Sequence, residues 1–575
     1  MRRLAVLTLL CALVGACGKN SSTVSPAPQP VAPPSTGVQQ VPNPMIEYYP
    51  SIPSPFNIMD FGQRARDFDN FIYDWNQSDK QCATIAWDAS KLFVLMPNYY
   101  CNSPTDNEAI EEMASVVGAT MVGIDKSTQG GLNYAQMLDN WFNPAVEICT
   151  NNVGSTGAYD DWWYELHPNV LYYHAAYLYP TPTTNNNLHS IADQIYNMVV
   201  TLGGPTANFN HQGFNFVTMQ PYDAGWTEPD AAAAAAVIEY WAYKKFGNSK
   251  YMNAVGWSMG FLESQSQSPY YEVLLPNAPY IAARLNAEGN QNQYDVNKYL
   301  TWQFTSTSAR NWGGLIGDWN GYDAYGLVGS GTDWGGGYAF FMNSAFQAAA
   351  TVPVARYEPR FAQVIGIYVL NAANAAQMFF ADQMPTNLQD CPQYRDRPEK
   401  AIAYEGVKKD LNGISPYASG DNMASGGLTD LALYGGAYVG YLGGVINLTS
   451  DPKILQVDCL KTDFYRGAAY PTYLLYNPYQ TQANVAVSVG STPVDLYDAV
   501  SNTYLAKNVS GNVSVSIPAN YPRVLVYAPP NSTISYSGMN AYINGVFVSH
   551  DPARFGDPPP SDSRLAGRGD VRRSF

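Results

Sequence analysis

The spacing of apolar residues changes once along the chain, near residue 468. Between about residue 56 and residue 465, apolar positions recur with the period of an α-helix and predict about twelve helices. After Ala468, apolar and polar residues alternate in segments such as ANVAVSVG and RVLVYAP, and Gly, Asn and Pro mark the turns. The pattern predicts a large, mainly α domain followed by a small antiparallel β-sandwich.

The clearest predicted helix is PDAAAAAAVIEYWAYKKFG. Pro229 suits its first turn, Glu228 and Asp230 suit the positive amino end, and Gly247 is a typical stop signal. The next helical segment, SKYMNAVGWSMGFLES, follows after a turn of two or three residues. So short a turn predicts an antiparallel helical hairpin.

The amino terminus has the pattern of an export signal. Arg2 and Arg3 precede an apolar stretch over residues 4–14 that is too short to cross a bilayer as a mature helix. The stretch ends in VGAC, which resembles a bacterial lipobox and predicts that Cys17 is lipidated. An ordinary cleaved signal peptide is the alternative. With no later apolar run of membrane-spanning length, we expect an exported protein held at the cell envelope by this lipid alone.

Composition divides the rest of the chain. The sequence predicts a signal peptide at 1–16 and a lipidated Pro/Ser-rich spacer at 17–55. We expect the helical catalytic domain at 56–467, the β-sandwich at 468–550 and a disordered tail at 551–575.

Charge and cysteine content exclude some classes of protein. The 575 residues carry a formal charge of −16, with no basic stripe for phosphates, so a nucleic-acid partner is excluded. Neither a zinc motif nor a cofactor motif is present. Beyond Cys11 and Cys17, five cysteines remain. A Cys82–Cys101 disulfide is plausible in an exported protein, and the odd number leaves at least one cysteine free.

Two segments carry a resemblance to known proteins. AYKKFGNSKYMNAVGWSMGFLES resembles the hairpin sequence of six-hairpin, (α/α)6-toroid proteins, which include many glycoside hydrolases and polysaccharide lyases. VDLYDAVSNTYLAKNVSGNVSVSIPA is similar to the β-domain that often follows such toroids. The resemblance implies an (α/α)6 toroid acting on carbohydrate, with the active site in loops at one end of the toroid.

Glycoside hydrolysis needs two carboxyl groups, one as acid and one as base or nucleophile. Segments that combine carboxylates with aromatic residues are therefore the candidates. The adjacent acids Asp160 and Asp161 can instead simply cap the helix that follows them. We also interpret Glu228 and Asp230 as residues that serve a helix start. Glu272 lies in an apolar run, where burial would suit a general acid, although pairing with a cation is the alternative. The candidate catalytic residues are Asp323, Asp333, Asp223, Asp161, Asp421 and Glu272.

Aromatic side chains suit sugar binding because pyranose C–H faces pack on flat rings. The densest group lies in the glycine-rich segment 311–344, which we expect to form a loop that lines the site. The candidate substrate-binding residues are Trp162, Trp163, Trp226, Trp312, Trp319, Tyr322, Tyr325, Trp334 and Tyr417.

The sequence favours an exported glycoside hydrolase acting on a neutral or weakly charged glycan, because a strongly acidic protein disfavours a polyanionic substrate. Two alternatives remain open. One is a polysaccharide lyase that uses a Tyr or His base, with His167, His174 and His211 as candidates. The other is a non-catalytic, glycan-binding surface lipoprotein.

Overall fold

A computed structural model describes residues 37–76, 80–103, 107–153, 155, 161–289, 293–306 and 311–555. The predicted lipidation site Cys17 lies outside these residues. Within them the α-helices are α1 (Phe61–Ile72), α2 (Ala109–Met121), α3 (Tyr134–Met137), α4 (Trp162–Leu178), α5 (Pro182–Thr201), α6 (Ala231–Phe246), α7 (Ser249–Ser264), α8 (Asn277–Ala287), α9 (Val296–Gln303), α10 (Phe341–Thr351), α11 (Val354–Tyr357), α12 (Ala362–Ala375), α13 (Leu433–Gly436) and α14 (Val439–Val445).

Six of these helices form a closed circuit of contacts, here called the helix ring. In order around the ring they are α14, α2, α4, α6, α8 and α10, and α10 contacts α14 again. Further helices pack outside: α1 against α14, α5 and α7 against α6, α9 against α8, and α12 against α10. No helix of the described residues is long and apolar enough to span a bilayer.

The signals read from the sequence explain the ends of α6. Asp230 is the residue before its first turn, Lys244 and Lys245 lie in the last turn, and Gly247 takes a left-handed φ of 72°. This conformation is accessible to glycine at little cost, so the helix ends there. With α7, α6 forms the predicted hairpin.

The strands of the described residues lie partly within the helical domain and partly after it. They are β1 (Ala86–Trp87), β2 (Val94–Leu95), β3 (Phe142–Asn143), β4 (Ile148–Cys149), β5 (Gly213–Asn215), β6 (Gln220–Tyr222), β7 (Trp312–Gly314), β8 (Val328–Ser330), β9 (Tyr338–Phe340), β10 (Gly406–Lys408), β11 (Tyr417–Ser419), β12 (Ile446–Asn447), β13 (Gln456–Asp458), β14 (Thr472–Asn477), β15 (Ala483–Ser488), β16 (Val494–Asp498), β17 (Thr503–Val509), β18 (Asn512–Ile517), β19 (Tyr521–Ala528), β20 (Ile534–Ser537), β21 (Asn540–Ile543) and β22 (Val546–His550).

The glycine-rich segment 311–344 is more ordered than the loop expected from its composition. Its strands β7, β8 and β9 join β10 and β11 in an antiparallel five-stranded sheet of order β11-β10-β9-β8-β7. Helix α10 begins at Phe341, directly after strand β9.

The carboxyl-terminal strands form the predicted sheet domain. A six-stranded antiparallel sheet of order β12-β13-β14-β19-β16-β17 packs on the β15-β18 pair, and Leu475, Val485, Val515 and Leu525 fill the space between them. Its other face contacts α12 through β14 and β19. The six-stranded sheet already begins at β12, before the expected boundary at residue 468, because β12 and β13 pair onto β14.

Residues 37–55, which composition assigned to a spacer, pack on the body of the protein. Val38, Ile46 and Tyr49 are buried, and the Val38 N–H donates to the carbonyl oxygen of Val500 over 2.7 Å. Burial of these apolar side chains stabilises the packed position of the segment, whereas a solvated spacer would leave them exposed to water. A spacer can therefore extend only to residue 36.

The cysteines follow the prediction. Cys82 and Cys101 form a disulfide. Cys149, Cys391 and Cys459 are free and buried.

Candidate active site

The amino ends of ring helices meet at one end of the helix ring, where hydrogen bonds join neighbouring helices. The Trp163 N–H, in the first turn of α4, donates to Glu228 Oε2 over 3.4 Å, just ahead of α6. The Tyr271 N–H, on the segment leading into α8, donates to Asp230 Oδ2 over 3.1 Å. This end of the ring therefore collects carboxyl groups from successive helices.

Four carboxyl groups at this end form what we call the acidic cluster: Asp161, Glu228, Asp230 and Glu272. Glu228 and Asp230 are fully buried, whereas Asp161 and Glu272 are half-buried. This difference in burial divides the cluster into two inner acids and two acids that can face a ligand.

Amide side chains orient the two half-buried acids. Gln212 Nε2 donates to Asp161 Oδ1 over 2.7 Å. Asn343 Nδ2, in the first turn of α10, donates to Glu272 Oε2 over 3.0 Å. Glu272 also has a φ of +52°, which is uncommon for a residue with a Cβ and typical of functional sites.

Burial raises the pKa of both inner acids. Burial, followed by the negative charges of Asp161, Asp230 and Glu272, raises the pKa of Glu228 to about 9, although Trp226 Nε1 donates to its Oε1 over 2.8 Å. Burial, and more weakly the charge of Glu272, raises the pKa of Asp230 well above its ordinary value. With a pKa of about 9, Glu228 is neutral at pH 7.

A series of ring contacts, here called the aromatic row, leads away from the acidic cluster. Tyr271 meets Trp312 edge-on with 5.5 Å between ring centroids, and Trp312 stacks on Phe340 at 5.1 Å. Phe340 in turn contacts Tyr338 at 4.3 Å. The five-stranded sheet supplies the last three rings, so this sheet forms a wall next to the acids.

A second polar group lies at the far end of the aromatic row. Lys408 Nζ lies 5.0 Å from the Tyr338 ring and 4.3 Å from the ring of Trp334, and it donates to Asp421 Oδ1 over 3.1 Å. The Asp421 N–H donates to Glu405 Oε2 over 2.7 Å. Burial raises the pKa of Glu405. We call Glu405, Lys408 and Asp421 the Lys408 group.

The remaining predicted carboxylates lie in other settings. Asp323 is bound to the amino-terminal segment, because its Oδ2 accepts the N–H of Ser54 over 2.7 Å and the Ser54 hydroxyl over 3.1 Å. Asp333 is exposed in a turn of the glycine-rich segment. Asp223 is also exposed and pairs with His211 Nδ1 over 3.1 Å.

The predicted aromatic residues divide in the same way. Trp312 belongs to the aromatic row, Trp163 stacks on Tyr164, Trp334 covers Lys408 and Trp226 binds Glu228. A second set packs inside the protein or away from the acidic cluster: Trp162 on Phe214, Tyr322 on Phe56, Tyr325 on Tyr49, Trp319 under Gly337, and Tyr417 beside Asp390.

Sequence reasoning missed Glu228 and Asp230 as members of the site. Both were interpreted as helix-start residues, and Asp223 was preferred in the same segment. The adjacent Trp226 was the available signal, because its indole N–H binds Glu228 directly. Lys408 gave no signal, since the sequence VKKD is typical of an exposed surface.

Of the three histidines considered as lyase bases, His211 pairs with Asp223 and the other two are buried. His167 and His174 are buried inside the helix ring, where they bind Tyr438 and Tyr441. Burial lowers the pKa of His167 to about 3 and that of His174 well below its ordinary value. Among the described residues no group of three His, Cys, Asp or Glu side chains is arranged to hold a metal ion.

Comparisons with known proteins give distant matches only. No protein-family model and no curated protein matches the chain. Similar solved structures include a GH127 β-L-arabinofuranosidase from Geobacillus stearothermophilus T6, with a TM-score of 0.31, 10% identity and 86% of each chain covered. A structure described as a glycoside hydrolase has a TM-score of 0.35, 8% identity, and covers 89% of this chain and 85% of its own. A further structure, a GH127 β-arabinofuranosidase, has a TM-score of 0.33 and 8% identity. The match covers 90% of this chain and 84% of the other chain.

These neighbours are glycoside hydrolases, the class that the sequence resemblance names. TM-scores this low carry no argument about fold or activity.

Proposed function

We propose that this protein is a glycoside hydrolase whose catalytic carboxyl groups are Asp161 and Glu272. The observation that carries the proposal is the acidic cluster: two half-buried carboxyl groups, both electrostatically coupled to the buried, protonated Glu228. The helix ring would be the inner ring of an (α/α)6 toroid. Six helices in closed contact, with others packed outside them, support this architecture.

The chemistry follows from the charge states that such a cluster permits. One carboxyl group protonates the departing glycosidic oxygen, while the other, ionised, acts on the anomeric carbon directly or through water. The neutral Glu228 adds no negative charge to the cluster, so it does not oppose ionisation of one of the two outer acids. The dependence of the hydrolysis rate on the leaving group distinguishes whether Asp161 or Glu272 is the acid.

The surroundings support a neutral or weakly charged glycan as substrate. The acidic cluster would repel a uronate, and the formal charge of −16 adds to that repulsion. The rings of Trp226 and Trp334 are 38% and 42% exposed, so both can pack on sugar faces.

The two alternatives have less support. A lyase needs a base beside cations that neutralise a uronate, and His167 and His174 are buried in the ring with lowered pKa values. A glycan-binding protein without activity would not need strongly coupled carboxyl groups at a cost in stability.

A polysaccharide panel tests the class of reaction. Purified protein is incubated with neutral and uronate-containing polysaccharides and with nitrophenyl glycosides that include arabinofuranosides. New reducing ends without ultraviolet-absorbing unsaturated product are the expected result. Unsaturated product would identify a lyase, and binding without cleavage would identify a glycan-binding protein.

We also propose export and lipidation at Cys17, on the strength of the VGAC sequence. Globomycin, which blocks the lipoprotein signal peptidase, should make the full-length lipidated precursor accumulate, as seen by gel mobility. Unchanged processing in its presence, or unchanged processing of Cys17→Ser, would show an ordinary signal peptide.

A further inference from the structure

A cavity of about 230 Å³ opens beside the acidic cluster. Three parts of the chain line it: Asn210, the pair Thr227 and Pro229, and the segment 265–271 between α7 and α8. Its volume is below the roughly 300 Å³ at which pockets for drug-sized ligands begin, which suits a ligand the size of one sugar residue.

The cavity and the acidic cluster share parts of the chain. Pro229 lines the cavity and directly follows Glu228, while Tyr271 lines it and directly precedes Glu272. Asp230 Oδ2 accepts the N–H groups of Tyr271 and Leu275 over 3.1 and 3.2 Å, which fixes this cavity wall relative to the carboxyl groups. The cavity wall and the acidic cluster are therefore built from neighbouring residues of the chain.

The chemistry of the lining selects the ligand. The polar side chains are amides and hydroxyls, from Asn210, Thr227, Gln265, Ser266 and Gln267, and no charged residue is among the described residues that line it. Amides donate and accept hydrogen bonds at the same time, as vicinal sugar hydroxyls do. A phosphate or uronate would call for a cation, and the lining offers none.

We infer that this cavity is a sugar-binding subsite, which takes one neutral residue of the glycan next to the bond cleaved at the acidic cluster. The inference rests on the proposed function, which identifies the molecule that enters the cavity as a glycan. It predicts that the substrate is an oligosaccharide that extends into the cavity, and that a simple aryl monoglycoside leaves the cavity unused.

The test uses the double variant Asn210→Ala/Gln267→Ala, because both side chains are exposed and their loss leaves the core intact. The exposed Gln482→Ala on the sheet domain is the matched control. Kinetics are measured on a nitrophenyl monoglycoside and on arabino-, xylo-, cello- and maltotetraose. The double variant should raise KM for the cleaved tetrasaccharide about tenfold per hydrogen bond lost, with kcat/KM on the monoglycoside unchanged.

Calorimetric titration with the same tetrasaccharides separates this inference from the proposed function. If the wild type binds a tetrasaccharide without hydrolysing it, and the double variant binds it more weakly, the subsite is retained and the hydrolase is rejected. Hydrolysis with equal KM in the wild type and the double variant would reject the subsite and retain the hydrolase. An equal loss on the monoglycoside, or no binding of any tetrasaccharide, would also overturn the subsite.

Discussion

Glu228 shows how burial at a single residue shapes the site. The side chain is fully buried, its pKa is raised to about 9, and its neighbours in the acidic cluster contribute to that rise. A carboxyl group with a raised pKa favours the folded state while it is protonated. Its contribution is complete below the ordinary glutamate pKa and is lost as the pH rises towards 9.

Replacing Glu228 with glutamine should therefore change the pH dependence of stability. Relative to the wild type, Glu228→Gln should gain up to about 1 kcal/mol in free energy of unfolding for each pH unit between roughly pH 5 and pH 9. Urea denaturation at several pH values measures this difference. Exposed Glu47 provides the control Glu47→Gln, and parallel pH curves for wild type and Glu228→Gln would show that Glu228 titrates normally.

The sequence could not assign Glu228 because its local pattern fits a helix start equally well. An acid two residues ahead of Asp230 suits the positive end of α6 whatever else it does. Only ring closure, which brings α4 and the segment before α8 to the start of α6, shows that the carboxyl group is buried among other acids. Asp161 and Glu272 were already candidates in the sequence, because aromatic neighbours or an apolar run marked them.

Helices α2 and α14 approach each other closely in the ring. A Cβ on Gly118 would lie 2.9 Å from Gly440 Cα, and a Cβ on Gly440 would overlap the backbone of Gly118. The two helices can therefore pack at this distance only with glycine at both positions.

Alanine at Gly440 should destabilise the ring. Gly440→Ala forces the two backbones apart, and overpacking of this kind costs about 1–3 kcal/mol. Gly260→Ala in α7 is the matched control, since nothing lies within 4 Å of its Cβ position, and it should stabilise by about 0.5–1 kcal/mol through helix propensity. Urea denaturation compares the two. Equal effects would contradict the close contact between α2 and α14.

Sequence patterns predicted correctly those elements whose ends are determined by nearby residues. Helix α6 has its charges and its terminal glycine where the sequence predicts them. The segment 311–344 was expected to be a loop, because strands of three residues rich in glycine carry little pattern of their own. Those strands exist through pairing with β10, some seventy residues later, which composition cannot reveal.

The helical and sheet domains are joined through a buried charge cluster. Asp463, on the segment between β13 and β14, binds Arg356 Nη1 over 2.5 Å and the Tyr280 hydroxyl over 2.9 Å. Arg284 Nη1 lies 3.5 Å from its carboxylate. Both arginines and the aspartate are buried, so Asp463 compensates the charge of Arg356 and shares compensation of Arg284 with Glu288, which lies 3.1 Å from Arg284 Nε.

Neutralising Asp463 should weaken the whole molecule. Asp463→Asn leaves the buried Arg356 without this carboxylate and Arg284 with Glu288 alone, and breaking a buried ion pair costs about 3–5 kcal/mol. The control Asp67→Asn alters an exposed aspartate and should stay within about 0.5 kcal/mol of wild type. Thermal unfolding followed by circular dichroism checks both. A small change at Asp463 would mean that the cluster does not stabilise the junction between the domains.

The central claim is that Asp161 and Glu272 together hydrolyse a glycosidic bond. Both carboxyl groups lie at the amino ends of ring helices, and exposed Asp333 provides a matched control outside the acidic cluster. A general acid matters most for poor leaving groups, so the acid of the pair should be the residue whose amide variant retains activity on nitrophenyl glycosides.

The decisive measurement is kcat for Asp161→Asn, Glu272→Gln and Asp333→Asn on the best natural glycan and on its nitrophenyl glycoside. We expect Asp161→Asn and Glu272→Gln each to lower kcat roughly 10²–10⁴-fold on the natural glycan with folding intact. One of these two variants should retain activity on the nitrophenyl glycoside, and Asp333→Asn should match the wild type. Wild-type rates in Asp161→Asn and Glu272→Gln would contradict the assignment of the site.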